Sequence, residues 1–180
     1  MVVMDRHYAL GRSIMNITYR QGTMGDLQGL KGLAIKSWSP YQTQLTDSNW
    51  RSLQETVSND ATFERLLEQS TCFLGIVDND PIVGMAFLVP NGNPTDLYLK
   101  EWCYIRFVSV DPAFEGQGIG RTLISMCIDK AKESGETTIA LHTSEFMEKA
   151  RHLYESFGFK ILREIEQRLG KRYGLYKLDL

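Results

Sequence analysis

The residues that point most directly to chemistry form one run, Val108-Ser109-Val110-Asp111-Pro112-Ala113-Phe114-Glu115-Gly116-Gln117-Gly118-Ile119-Gly120-Arg121-Thr122. A strand ends at Val110, Pro112 stops it, and three glycines at alternate positions lead into a helix. Without a Cβ the glycine backbone turns sharply and brings its N–H groups close to a ligand, while the helix start adds unpaired donors and a positive dipole end. Together these make an anion site. A glycine turn also serves as a plain tight connection, so the fragment by itself is weak. Two phosphate-binding alternatives fit worse: a dinucleotide fold places its glycines after the first strand of repeated strand-helix units, and a P-loop ends in Gly-Lys-Ser/Thr.

The elements around this turn follow from periodicity. Asn16–Gln21 alternates as a short strand, and Thr23 offers an N-cap for a helix carrying Leu27, Leu30, Leu33 and Ala34 that ends near Trp38, before Pro40. Asp47–Gln69 is helical with a break at Ser58–Asp60, where Asn and Asp compete for backbone hydrogen bonds. Thr71–Val77 and Ile82–Val89 form a hairpin across Asp78-Asn79-Asp80-Pro81, Pro90–Asp96 is a loop, and Trp102–Val110 is a fourth strand. A helix over Gly118–Ser134, a strand over Thr137–His142 and a helix over Phe146–Phe157 stopped by Gly158 come next. Lys160–Gln167 and Arg172–Leu180 close the chain as strands around Gly170.

A chain of 180 residues with 43% hydrophobic and 23% charged residues has the balance of one globular domain, here 16–180. Met1–Met15 carries little period and is read as a poorly ordered extension; Asp5, Arg6 and His7 break any signal-like apolar core, which implies cytoplasmic residence. The net charge of −2 comes from 20 basic and 22 acidic side chains interspersed along the chain, so no nucleic-acid partner is expected. Apolar stretches are strand-length, far short of the ~20 residues of a membrane span. Cys72, Cys103 and Cys127 are unpaired in spacing and read as buried packing residues, and three scattered histidines leave no metal site.

In this setting the glycine run resembles motif A of the GNAT acetyltransferases, Arg/Gln-x-x-Gly-x-Gly/Ala behind a strand ending in Val-Asp-Pro. Ala150-Arg151-His152-Leu153-Tyr154-Glu155-Ser156-Phe157-Gly158-Phe159 resembles motif B of the same family, in order and at the usual distance. The resemblance implies an α/β domain with a central, mostly antiparallel sheet splayed between its fourth and fifth strands. It also implies acetyl-CoA as cosubstrate, with Val108, Ser109 and Val110 alongside the pantetheine arm. The amides of Gly116, Gln117, Gly118, Ile119, Gly120, Arg121 and Thr122 would surround the pyrophosphate.

Two positions depart from the family pattern. Glu115 replaces an Arg or Gln beside the pyrophosphate and must either point away or lower the affinity, and Met147 replaces an Asn that contacts CoA in many relatives. The resemblance gives Tyr154 the role of general acid, a phenol still protonated at neutral pH; the plainer reading is a helix tyrosine packed beside Phe157 and Phe159. The family's acidic base position falls on Tyr104. Glu101, near the strand start, and His142 are the alternatives, each with a plain structural reading of its own.

Trp38, Tyr41 and Trp50 either wall the acceptor site or pack between helices and sheet. The implied reaction is direct acetyl transfer to a small-molecule or peptide amine. A non-catalytic acyl-CoA sensor of the same fold is the alternative, and the closing strands could pair across a homodimer.

Overall fold

The computed structural model describes residues 16–78 and 81–180; the expected extension at 1–15 and the tip of the first hairpin lie outside them. Seven strands form one sheet: β1 (Ile17–Gln21), β2 (Thr71–Val77), β3 (Ile82–Val89), β4 (Cys103–Val110), β5 (Thr138–Ser144), β6 (Lys160–Arg168) and β7 (Lys171–Asp179). Among the described residues five α-helices accompany them: α1 (Leu27–Trp38), α2 (Asp47–Ser58), α3 (Asp60–Gln69), α4 (Ile119–Glu133) and α5 (Glu148–Ser156). The strand order is β1-β2-β3-β4-β5-β7-β6, antiparallel throughout except for β4 beside β5.

Helices cover both faces, and the sequences of the central strands reflect this. In β2 and β3, Cys72–Val77 and Val83–Val89 are buried without alternation, because each face meets a core. On one side Leu30, Leu33, Leu53, Val57, Phe63 and Leu66 from α1, α2 and α3 pack against Leu74, Met85 and Phe87. On the other, Ile119, Leu123, Ile124 and Cys127 of α4 and Tyr154 of α5 pack against Phe73, Val83 and Ile105. The edge strand β6 buries only Ile165 along its length.

Local signals place the helix ends. Asp26 accepts hydrogen bonds from the Thr23 N–H (2.8 Å) and from Arg20 (2.6 and 2.8 Å), so a short 3-10 turn at Met24–Asp26 precedes α1. The Asn59 side chain accepts the Ala61 N–H at 2.9 Å while its own backbone is extended, which makes the break between α2 and α3. Strand β5 runs two residues past the expected His142, because Thr143 and Ser144 pair with Gly174 and Tyr173 and the Ser144 hydroxyl donates to Arg172 O (2.9 Å). Helix α5 correspondingly begins at Glu148 rather than Phe146.

Two features of β4 prepare the site. Its parallel pairing with β5 is confined to Cys103↔Ile139 and Tyr104↔Ala140, beyond which the strands separate as the sequence resemblance implied. Opposite Ala86 its register with β3 slips by one residue, and Phe107 takes a left-handed φ of 49°. That is a bulge with a bulky residue in a conformation such residues avoid, held in place by packing of its ring against Phe63 at 5.1 Å. No helix among the described residues is long and apolar enough to cross a membrane.

Candidate active site

Past the last β4 residue, the Asp111 N–H donates to Val83 O (2.8 Å) and the Asp111 carboxylate caps Ala113 N–H (3.0 Å), fixing where the chain leaves the sheet. Gly116 and Gly118 then take φ of 78° and 80°, which turn the chain into α4. A Cβ on either would meet nothing within 4 Å, so backbone conformation, not crowding, demands glycine there. The first helical bond runs from Thr122 N–H to Gly118 O (3.0 Å), and the N–H groups of Ile119, Gly120 and Arg121 upstream of it have no helical partner.

A cleft of about 920 Å³ joins this turn, the gap between β4 and β5, and the side of the sheet covered by α1 and α2. Of the residues expected around a cofactor, Val108, Ser109, Val110, Gly116, Gly118, Ile119, Gly120 and Arg121 line it. Gln117 and Thr122 are not among the lining residues; the Thr122 N–H and hydroxyl are both committed to Gly118 O. Arg121 donates to the Ser156 hydroxyl (3.0 Å) and lies 5.2 Å over the Phe157 ring, tying α4 to α5.

Tyr154 lines the same cleft, buried, with its ring edge-on to Phe159 at 6.0 Å. Burial, reinforced by the neighbouring Cys127, pushes its phenol well above the usual range, so it holds its proton at any physiological pH. Glu115 points at Lys149 (2.5 Å) in the first turn of α5, both side chains exposed, which neutralises the carboxylate beside the glycine turn. Met147 lines the cleft and accepts a weak hydrogen bond from the Thr143 hydroxyl at 3.7 Å.

The structure does not bring the two base candidates Glu101 and Tyr104 to the cleft. Glu101 is exposed in a turn closed by Trp102 N–H to Leu99 O (3.2 Å), and Tyr104 is buried and stacked on Tyr98 at 4.1 Å. His142 does line the cleft. Its Nδ1 lies 2.5 Å from the Tyr98 hydroxyl, and burial together with the charges of Arg106 and Arg168 lowers it to about 3. Burial also keeps the Tyr98 phenol protonated, so the contact joins a neutral phenol to a neutral imidazole, with the donor set by the imidazole tautomer.

Trp38 and Tyr41 line the cleft, 5.7 Å apart edge to face, whereas Trp50 packs against the core beneath α1 and α2. Sequence reasoning passed over Arg106, Phe107 and Arg168. Arg106 carried a signal, the one charge inside the stretch Cys103–Val110; the bulge at Phe107 carried none.

A glycine turn with unpaired amides, two parallel strands that part beside it, and a buried phenol on the same cleft form the arrangement that the two sequence motifs implied. Residues 37–159 match the acetyltransferase (GNAT) family. The chain belongs to the GNAT acetyltransferase family. Among curated proteins it is similar to N-acetyltransferase 8B of Homo sapiens, 33% identical over 135 residues, which are 74% of this chain and 55% of that protein. The chain spans about half the length of the curated relatives it matches first.

Its fold is similar to the paia N-acetyltransferase from Thermoplasma acidophilum in complex with coenzyme A. The TM-score is 0.74 at 16% identity, covering 91% of this chain and 100% of that one. It is also similar to yncA from Salmonella typhimurium with its cofactor acetyl-CoA, with TM-score 0.64 at 19% identity over 91% and 94% of the two chains. The mixed seven-stranded sheet is thus a GNAT sheet.

Proposed function

We propose that the protein transfers an acetyl group from acetyl-CoA to a primary amine by direct attack in a ternary complex. One observation carries this reading: the glycine turn and the Tyr154 phenol open onto one cleft, on either side of the gap between β4 and β5. The cleft fits the cosubstrate. Amides of Ile119, Gly120 and Arg121 without helical partners suit a pyrophosphate, and the β4 edge at Val108–Val110, past the end of its pairing with β5, offers main-chain groups to an amide-bearing arm.

Bound acetyl-CoA supplies an activated acyl thioester whose sulfur needs a proton as it departs. Tyr154 is suited to give it, because the phenol arrives protonated and sits in a dry wall where a hydrogen bond to a developing negative charge is strong. No cysteine is among the residues lining the cleft, and burial pushes Cys72 and Cys103 up to about 12, so no thiol is placed to form an acyl-enzyme.

The amine has its own requirement. With a lysine-like pKa near 10.4 it is neutral about once in 2500 molecules at pH 7, a cost of roughly 4.6 kcal/mol. Glu115, paired with Lys149, is the one carboxylate among the lining residues, and a histidine held near 3 is a poor base at neutral pH. The amine proton therefore leaves to water, before or during attack.

The test is calorimetric titration of acetyl-CoA, followed by thiol release against a panel of amines with wild type and Tyr154→Phe. Micromolar binding and amine-dependent release that drops sharply in the variant is the expected result. Absence of CoA binding, or binding with no release across a broad panel, overturns the reading.

A further inference from the structure

The end of the cleft away from the glycine turn is electropositive. Arg106 on β4 and Arg168 at the end of β6 both line it, as does His142, on which both charges act. Among the described residues Arg106 forms none of the ion pairs; its guanidinium lies 5.5 Å over the Phe107 ring. Arg168 contacts the Asp96 carboxylate at 3.5 Å, but Asp96 is 79% exposed, so water competes for that pair. The paired Glu115 belongs to the opposite end of the cleft and does not offset these charges.

A site with two guanidiniums, a neutral imidazole and no free carboxylate repels a second ammonium on the acceptor and suits an anionic group. The planar guanidinium fork matches a carboxylate in two parallel hydrogen bonds, and partial burial of Arg106 strengthens them. The same charges disfavour the protonated form of an amine bound nearby, which eases the demand for a base that the cleft does not supply.

We propose that the acceptor is an amine that also bears a carboxylate, seated by Arg106 with Arg168 beside it. The proposal rests on the acetyl-transfer reading for the word acceptor, while the carboxylate site itself is testable by binding alone.

The probes are L-phenylalanine, L-leucine and L-methionine, each against its own amide, titrated calorimetrically into CoA-saturated protein. Affinities are referred to the free-base concentration of each amine. At least one acid binds roughly tenfold or more tighter than its amide, the scale of one hydrogen bond to a charged group. Arg106→Gln erases that preference, and Arg168→Gln weakens it. Asp96→Asn, a change at an exposed position that leaves the fold intact, increases it by releasing Arg168. Equal binding of acid and amide in all three pairs, or a preference that survives Arg106→Gln, overturns the proposal. Tighter binding of aminomethylphosphonate than of any carboxylate overturns the assignment of carboxylate as the anion. Thiol release from acetyl-CoA is recorded in parallel; its absence beside an intact acid preference removes the transfer reading and leaves the carboxylate site standing.

Discussion

Lys149 Nζ lies 2.5 Å from Glu115 Oε2, so the first turn of α5 is tied to the glycine turn through the residue whose charge fits least well beside a pyrophosphate. The pair explains how this chain tolerates a carboxylate at that position: Lys149 cancels its charge.

Lys149→Met removes the counter-charge and leaves Glu115 unpaired beside the proposed pyrophosphate site. The Michaelis constant for acetyl-CoA should rise roughly three- to tenfold at low salt and less at high salt, since both side chains are exposed and screened. Adding Glu115→Gln should restore it. A Michaelis constant that ignores both the substitution and the salt would show that the pair lies outside the cosubstrate's field.

Gly118→Ala places a Cβ in open space but at a φ of 80°. The cost is backbone strain alone, about 1–2 kcal/mol for an L-residue forced into the left-handed region. Denaturant unfolding should show that loss and CoA titration a weakened site, whereas Gly118→Asn should fare better because Asn tolerates this conformation.

Much of this was legible before any coordinates. The break at Asn59 and the stop at Gly158 are local signals, set by side chains that bond their own backbone or by a positive φ, and the structure places both where expected. The turn at Gly116–Gly118 was legible for the same reason. Residues made functional by tertiary placement were not. Tyr104 aligned with a base position, yet it stacks on Tyr98, a loop residue brought over the sheet by chain folding that no periodicity reports. The Phe107 bulge depends on how β3 and β4 slip past each other, and Arg168 reaches the cleft only because β6 pairs outside β7.

His142 should give the protein an acid-sensitive limb. Its ordinary value is 6.5 and its folded value about 3, lowered first by burial and then by Arg106 and Arg168. Above pH 6.5 it is neutral folded or unfolded and contributes no pH dependence. Below that the unfolded chain binds a proton that the native state refuses until pH nears 3, so stability falls by up to about 1.4 kcal/mol per pH unit across that window. His142→Gln should flatten this limb in denaturant titrations between pH 4 and 7. In the rate, kcat/KM should rise with pH along with the free amine and show no inflection from His142 between pH 6 and 8; an inflection lost in the variant would identify it as a base.

The contact that sets the height of α4 above the sheet offers the sharpest structural test. A Cβ at Gly84 of β3 would stand 2.5 Å from Ile119 Cγ2, a separation that real side chains do not adopt, and 3.0 Å from Leu123 Cδ1, tighter than most real contacts. Gly84→Ala therefore has to lift the start of α4, at a cost of about 1–3 kcal/mol for overpacking. Because Ile119 directly follows Gly118, that lift moves the unpaired amides of the proposed pyrophosphate site, and CoA affinity should fall together with stability. Ile119→Ala alone opens a cavity and destabilises by about 2–5 kcal/mol. Combined with Gly84→Ala it makes room for the new methyl, so the double variant should be more stable than the sum of the two losses by about 1 kcal/mol or more. Additive losses in denaturant unfolding would mean that the helix does not rest on Gly84, and that its height is set elsewhere along α4.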